Sequence, residues 1–263
     1  MSFTGKQKKD TYKDILQVGN SNNGISTSVT NVKAGDGSSS SLSVSDRALQ
    51  VKSATNNTAA FDVQNASGSS KLLVDTTNSI VKANGIHVNT MYKEFGVFDF
   101  SPTAGYHYPL VSNNMMFSDS GADFDSFGDA VFGNGTDPAT SVDLSGHVSY
   151  SIAASATYWY VMDDISIDAI RVLARADGSA NLNFHVYSYD LDTSTNHGDL
   201  SNGTLVAHIG TVIGATTTSL KTDVLTIDSA SVSSGKVLIA FVENETDTSD
   251  ISCQLNIKYH ITG

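Results

Sequence analysis

The segment Ile251–Ile261 alternates apolar and polar residues without a break. Ile, Cys, Leu, Ile, Tyr and Ile occupy its odd-numbered positions, whereas Ser, Gln, Asn, Lys and His occupy the even-numbered ones. A period of two places every second side chain on the same side of an extended strand. One face of this strand is therefore expected to be buried and the other to face water, which is typical of antiparallel sheets.

Six segments upstream also have the character of strands, and turns rich in Gly, Asn and Asp separate them. In segment 182–189, Leu182, Phe184 and Val186 are expected to face a core, while His185 and Tyr187 face water. Seven or eight such strands predict an antiparallel β-sandwich of the jelly-roll type. The six segments are 158–160, 165–173, 182–189, 205–213, 224–227 and 237–242.

The composition favours an all-β chain. Only 16% of the residues are charged and only three are prolines, while Ser, Thr, Asn and Gly are abundant. A single stretch, 6–18, could form a short amphipathic helix, with Tyr12, Ile15 and Leu16 on one face and Gly19 ending it.

The first ninety residues provide little apolar surface. Two short alternating runs, Phe61/Val63 and Leu72/Val74, flank a turn at 65–68. At roughly 25 cal/mol per Å² of buried apolar area, so thin a hairpin does not offset the entropy lost when its residues are ordered. It needs neighbours, and the simplest supply is other copies of the chain around a symmetry axis. We predict that these four residues mediate oligomerisation.

The same stretch carries a resemblance to a known class of proteins. The run Phe61-Asp-Val63, then Gly68, then Leu72-x-Val74-Asp75 resembles the short β-repeats in the stalks of bacteriophage fibre and appendage proteins. The preceding Ser- and Gly-rich run, 35–45, is similar to those stalks as well. The resemblance covers about the first third of the chain. It implies an intertwined homotrimer in a tailed-phage virion, either a tail fibre or a head-fibre or capsid decoration protein.

Charge is distributed unevenly along the chain. Residues 1–93 contain ten Lys/Arg and six Asp, whereas the chain from Glu94 onward contains five Lys/Arg and 21 Asp/Glu. The acidic part would repel nucleic acid, so we expect no nucleic-acid partner. Sequence character changes at 88–93, which predicts three parts: an N-terminal anchoring arm (1–20), a short-strand oligomerisation segment (21–90) and a β-sandwich head (91–263).

The arm combines lysines with a few apolar residues. It could dock on an acidic surface of the particle, and the alternative is a solvated tail. The predicted anchoring residues are Lys6, Lys8, Lys9, Tyr12, Lys13, Ile15 and Leu16.

Sequence motifs of enzymes are missing. The chain has no H-E-x-x-H pair, no nucleophile elbow, no P-loop and no dinucleotide fingerprint. Cys253, the single cysteine, lies on the apolar side of segment 251–261 and is expected to be a buried thiol rather than a nucleophile. One cysteine, and no apolar run long enough to form a signal core or to span a membrane, indicate a protein made in the host cytoplasm and not inserted into a membrane. We predict no catalytic residues and no cofactor.

One acidic loop resembles a calcium site in its spacing. Asp190, Asp192 and Asp199 offer oxygen ligands, but Thr195 stands where an EF-hand needs glycine, and Ser201 where it needs glutamate. A calcium ion at the three aspartates is a hypothesis, and a hydrogen-bonded turn is the alternative.

Together these observations predict a non-enzymatic phage virion structural protein. It would be a homotrimeric, fibre-like appendage anchored by its N-terminal region, with a tail fibre favoured slightly over capsid decoration. Its partners would be its own copies, other virion proteins and, for host recognition, a surface glycan. The alternatives are a receptor- or glycan-binding module of the virion and a polysaccharide depolymerase with paired carboxylates. Aromatic residues near Asp or Asn that could stack on a sugar are Tyr158, Trp159, Tyr160, Tyr187 and Tyr189.

Overall fold

A computed structural model describes residues 16–20, 23–112, 132–145, 156–194, 197–246 and 249–262. The chain is nearly all β, and its sheets are antiparallel, as the sequence predicts. Two compact units meet in sequence between Val88 and Asn89, and we call them the first unit and the second unit. Within the described ranges, no helix has the length and apolar character needed to span a membrane.

The described part of the first unit contains two four-stranded sheets in which each strand pairs with the next one along the chain. The first sheet consists of β1 (Gln17–Val18), β2 (Thr30–Lys33), β3 (Ser39–Val44) and β4 (Leu49–Val51). The second sheet consists of β5 (Phe61–Gln64), β6 (Ser70–Asp75), β7 (Ile80–Ala83) and β8 (Ile86–His87).

The helix expected over 6–18 does not reach its predicted end. Gln17 and Val18 pair with Lys33 and Val32 as a strand, because the backbone of β2 offers them a sheet edge. Residues 6–15 lie outside the described part of the chain. Among the described residues of the first unit, Val32 is the only apolar side chain that is buried.

The second unit contains thirteen strands in the described ranges. They are β9 (Thr90–Phe100), β10 (His107–Pro109), β11 (Val111–Ser112), β12 (Trp159–Tyr160), β13 (Ile165–Ala176), β14 (Ala180–Leu191), β15 (Leu200–His208), β16 (Ile213–Ala215), β17 (Lys221–Val224), β18 (Thr226–Ile227), β19 (Ser231–Val232), β20 (Lys236–Asn244) and β21 (Ile251–Ile261).

Eight of these strands form a jelly roll. One sheet has the order β9-β21-β13-β17, and the other has the order β10-β20-β14-β15. Numbered along the chain, these eight strands give the orders 1-8-3-6 and 2-7-4-5, which is how two Greek keys interlock in a jelly roll. The short strands β11, β12, β16, β18 and β19 extend the two sheets. The predicted all-β fold with an antiparallel β-sandwich is confirmed, and the trimeric stalk stays a prediction.

Two of the predicted strand segments are divided in the structure. Segment 205–213 contains the end of β15 and the start of β16, with Gly210 in the break between them. Segment 224–227 contains the end of β17 and all of β18, which pair with different sheets. Apolar character continues through both breaks, so periodicity alone does not reveal them.

The core lies between the two sheets of the second unit. In β21 the odd-numbered side chains from Ile251 to Tyr259 are buried, as predicted, but Ile261 is only half-buried and His260, which was expected to face water, is buried. In β14, however, the prediction that His185 and Tyr187 face water is wrong, because both are buried. His185, Tyr187 and Tyr189 lie on the outer face of β14, which points away from the core. Residues 132–145 lie over this outer face, where the Tyr189 hydroxyl donates to the Ala139 carbonyl at 2.8 Å.

Candidate functional site

The four predicted oligomerisation residues lie on one face of the second sheet. Phe61 lies directly opposite Val74, and Val63 lies opposite Leu72. Residues opposite each other in an antiparallel pair point to the same side, and alternate residues along a strand do so too. The register extends this face to four more apolar residues, and none of its members is charged. These four are Val81, Ala83, Ile86 and Val88.

We call these eight residues the second apolar face. In the single chain this face is partly exposed. Phe61, Val63 and Leu72 retain 40%, 43% and 38% of their accessible surface. Fully burying a side chain of this size stabilises a fold by about 1.5 to 3 kcal/mol. About 0.5 to 1 kcal/mol of this stabilisation per residue is therefore not realised in the single chain. A further contact that buries the exposed fraction would supply it.

The first sheet has an equivalent face. Val44 lies opposite Leu49, and Leu42 lies opposite Val51, so these four side chains point to one side together with Val18 and Val32. Leu49 is 68% exposed. We call these six residues the first apolar face, and none of them was predicted to mediate oligomerisation. The signal for it is the spacing Leu42-x-Val44 followed by Leu49-x-Val51, which repeats the alternation seen in β5 and β6.

Polar turns, rather than a core, define the ends of these strands. The Asn65 side-chain oxygen accepts hydrogen bonds from the amides of Ser67 at 3.2 Å and Ser69 at 2.8 Å. The Asp75 carboxylate accepts hydrogen bonds from the side chain and the backbone of Asn78. These donors hold the pKa of Asp75 below its usual range. The hairpins are therefore shaped locally, while their apolar sides stay partly exposed among the described residues.

Most of the predicted anchoring arm lies outside the described residues. Leu16 is described, and it is exposed. The anchoring role stays a prediction for all seven residues. The six that lie outside the described ranges are Lys6, Lys8, Lys9, Tyr12, Lys13 and Ile15.

A second candidate is a histidine cluster on the outer face of sheet β10-β20-β14-β15. His107 on β10 lies opposite Glu243 on β20, with its Nδ1 4.0 Å from the carboxylate. The rings of His107 and His185 meet edge to face with centroids 5.3 Å apart. His185 Nε2 lies 3.4 Å from a carboxylate oxygen of Asp137. Because these residues are far apart in sequence, no spacing motif could have identified the cluster.

Both histidines are buried, and the Nδ1 atom of each has no hydrogen-bond partner. The Nε2 atom of His107 lies 2.9 Å from the Gly135 carbonyl oxygen. Burial lowers the pKa of His107 and lowers the pKa of His185 to about 4. Burial also raises the pKa of Glu243. The cluster is thus a pair of neutral histidines under residues 132–145, and protonation would put charge where water cannot reach it.

The three aspartates of the calcium hypothesis have separate partners. Asp190 forms an ion pair with Lys236 at 2.6 Å and accepts a hydrogen bond from Asn202 at 2.8 Å. Asp192 accepts from the Ser194 amide at 2.8 Å, and Asp199 accepts from the Leu144 amide at 2.6 Å. Across the described ranges, no three His, Cys, Asp or Glu side chains are grouped to hold a metal ion. Calcium binding stays a prediction that these contacts do not support.

The aromatic residues named for sugar binding are mostly occupied by the fold. Tyr187 and Tyr189 are buried and stacked on each other with centroids 5.9 Å apart. The Tyr158 hydroxyl donates to the Gly198 carbonyl at 3.0 Å. Tyr160 is exposed, so it is the ring most open to a ligand. Glycan binding stays a prediction.

Comparisons with known proteins find only distant likeness. No protein-family model matches the chain, and no curated protein matches it. One similar structure is a chain of infectious bursal disease virus Gx strain, with 8% identity and a TM-score of 0.27, covering 70% of this chain and 35% of that one. Another is the CBM22-1 xylan-binding domain of Paenibacillus barcinonensis Xyn10C, with 13% identity and a TM-score of 0.25, covering 64% of this chain and 92% of that one. This chain therefore spans about a third of the viral chain.

Proposed function

We propose that this chain is a non-enzymatic structural protein of a tailed-phage virion. Three copies assemble through the first unit into a fibre-like appendage, and each copy carries a jelly-roll head. The N-terminal region attaches the appendage to the particle, with the tail favoured slightly over the capsid. One observation carries the assembly: both sheets of the first unit present an uncharged apolar face that the single chain leaves partly exposed.

Rotational symmetry explains how such a face is satisfied. A closed ring of identical copies brings the same surface of each copy to a common axis. Because neither face carries a charged side chain, this contact buries no unpaired charge. The number three and the phage virion rest on the resemblance of residues 61–75 to fibre stalks. The heads, with five Lys/Arg against 21 Asp/Glu from Glu94 onward, repel one another and stay soluble.

The assembly is tested by the mass of the purified full chain, measured by light scattering on a sizing column. We expect the mass of three chains. Leu49→Asp combined with Leu72→Asp places a charge on both apolar faces and should reduce the mass to that of one chain. Gln50→Asp combined with Asn84→Asp adds the same charge to the first unit outside those faces and should keep the trimer. A monomeric natural chain would refute the assembly.

The location is tested on particles produced from a genome that encodes this chain. An antibody against residues 89–263 should label the purified particles at discrete appendages, seen by electron microscopy. Particles that are complete but contain none of the chain would refute the virion assignment, even if the chain is trimeric in solution.

A further inference from the structure

The first unit contains one three-stranded module twice. The turns 34–38 and 65–69 share a hydrogen-bond pattern: the amide of the first residue donates to the carbonyl of the fifth, and the amide of the fourth donates to the carbonyl of the first, all at 2.9 to 3.0 Å. The fourth residue is Gly37 in one turn and Gly68 in the other, with φ of 92° and 82°. A left-handed conformation at this position favours glycine in both.

The strands that flank these turns keep the same register. Each cross-strand pair of β2-β3-β4 has a counterpart in β5-β6-β7 at positions 30 to 32 residues later. Both modules also have a register shift in their first hairpin. The matched pairs are Thr30–Val44 with Phe61–Val74, Val44–Leu49 with Val74–Val81, and Leu42–Val51 with Leu72–Ala83.

Two equivalent polar residues support the match. Asn31 precedes the first turn by the same distance as Asp62 precedes the second, and each has a buried side-chain oxygen without a hydrogen-bond partner. Buried acceptors are rarely left unsatisfied, so the same omission at equivalent positions indicates the same local structure built twice. Side-chain identity is low between the modules, which hides the repeat in the sequence.

We propose that the first unit is a tandem repeat of one assembly module, and that each module binds the same module of the sister chains through its own apolar face. This inference rests on the proposed homotrimer and adds that the subunits are held by two separate contacts in series. The occupant of each face is the identical face of the other copies.

Three features of the faces support this choice of partner. The chain does not cover one face with the other, because Leu49 and Val51 of the first face and Phe61 and Val63 of the second are all exposed. Neither face is charged, so like can meet like without repulsion. A rotation axis brings equivalent positions together, and two modules along one chain then give two levels of contact rather than one mixed contact.

Leu42 and Leu72 provide matched variants, since the same side chain stands at the same position of each module. Hydrogen exchange measured by mass spectrometry on the full chain reports each sheet separately. In Leu72→Asp we expect amides of 61–87 to lose protection at least tenfold, amides of 30–51 to stay protected, and the mass to remain that of three chains. Leu42→Asp should give the reverse pattern. Leu49→Asp and Val81→Asp, at matched exposed positions, repeat the test without disturbing half-buried sites.

The outcomes separate this inference from the proposed function. Loss of protection in both sheets, together with a fall to the mass of one chain, in either single variant would show one cooperative contact and overturn the inference while leaving the trimer intact for the natural chain. Unchanged protection in the substituted sheet would overturn it as well. A natural chain with the mass of one copy would instead defeat the trimer on which both rest.

Discussion

The two units of this protein use the same type of secondary structure with opposite results. In the second unit, long strands such as β13 and β14, of twelve residues each, enclose a core with many side chains that are fully buried. In the first unit, strands of two to six residues form sheets whose described apolar residues are all exposed or half-buried except Val32. Turn chemistry is thus enough to shape a hairpin, but it does not supply a core.

Strand length explains this difference. A strand of eleven or twelve residues can cross a whole sandwich and bury five or six side chains against a second sheet, as β21 does. A strand of four residues offers two side chains to one face, which is too few for independent stability. The described residues of the first unit therefore supply little core of their own, and we propose that other copies of the chain complete it, whereas the second unit encloses its own core.

We expect the largest effect from truncating a leucine in the core of the second unit. Leu255 is fully buried and Leu49 is 68% exposed, so the same truncation to alanine tests both units. Leu255→Ala should lower the free energy of unfolding of the second unit by about 2 to 5 kcal/mol, because it removes packing and leaves a cavity. Trp159, the single tryptophan of the chain, lies in the second unit, and its fluorescence during denaturant unfolding reports that unit.

Leu49→Ala provides the matched control for this experiment. We expect the fluorescence transition of Trp159 to stay within about 0.5 kcal/mol of the natural chain, as is usual for surface substitutions. An equal shift in the two variants would mean that the units unfold together, and the contrast between a self-sufficient and a dependent unit would be wrong.

Most of the jelly roll could be predicted because its signal is local. The alternation of Ile251–Ile261 defines β21 to the residue, and the predicted residues Phe61, Val63, Leu72 and Val74 do share one face. What escaped prediction depends on long-range contacts. Nothing in segment 182–189 indicates that residues 132–145 cover its outer face, so its alternation predicts that His185 and Tyr187 face water.

The histidine cluster escaped for the same reason. His107 and Glu243 meet only because β10 pairs with β20, which local patterns do not specify. The tandem module was not predicted for a different reason. Its two copies agree in turn geometry and strand register more than in residue identity.

We expect a smaller effect from acidification, which acts on two buried histidines of the second unit. Burial lowers the pKa of His185 from 6.5 to about 4 and also lowers that of His107, so folding favours their neutral forms. This stability is complete above pH 6.5 and is lost as the pH falls from 6.5 towards 4, because the unfolded chain takes up protons that the folded chain refuses. We expect the free energy of unfolding of the second unit to fall by roughly 1 to 3 kcal/mol over this range, measured by Trp159 fluorescence.

Other titratable groups lie around the pair and contribute to this slope. The raised pKa of Glu243 acts in the opposite direction, because the folded state then binds a proton more readily as the pH falls. The remaining charged or titratable neighbours of His185 are Asp137, Tyr187, His208 and Asp228. His185→Gln keeps a polar side chain but cannot take up the proton, so it should flatten the curve between pH 6.5 and 4. An unchanged slope in this variant would show that the acid sensitivity lies elsewhere.

The first unit lacks a buried histidine among its described residues, so hydrogen exchange within β2–β7 should not follow the histidine titration of the second unit.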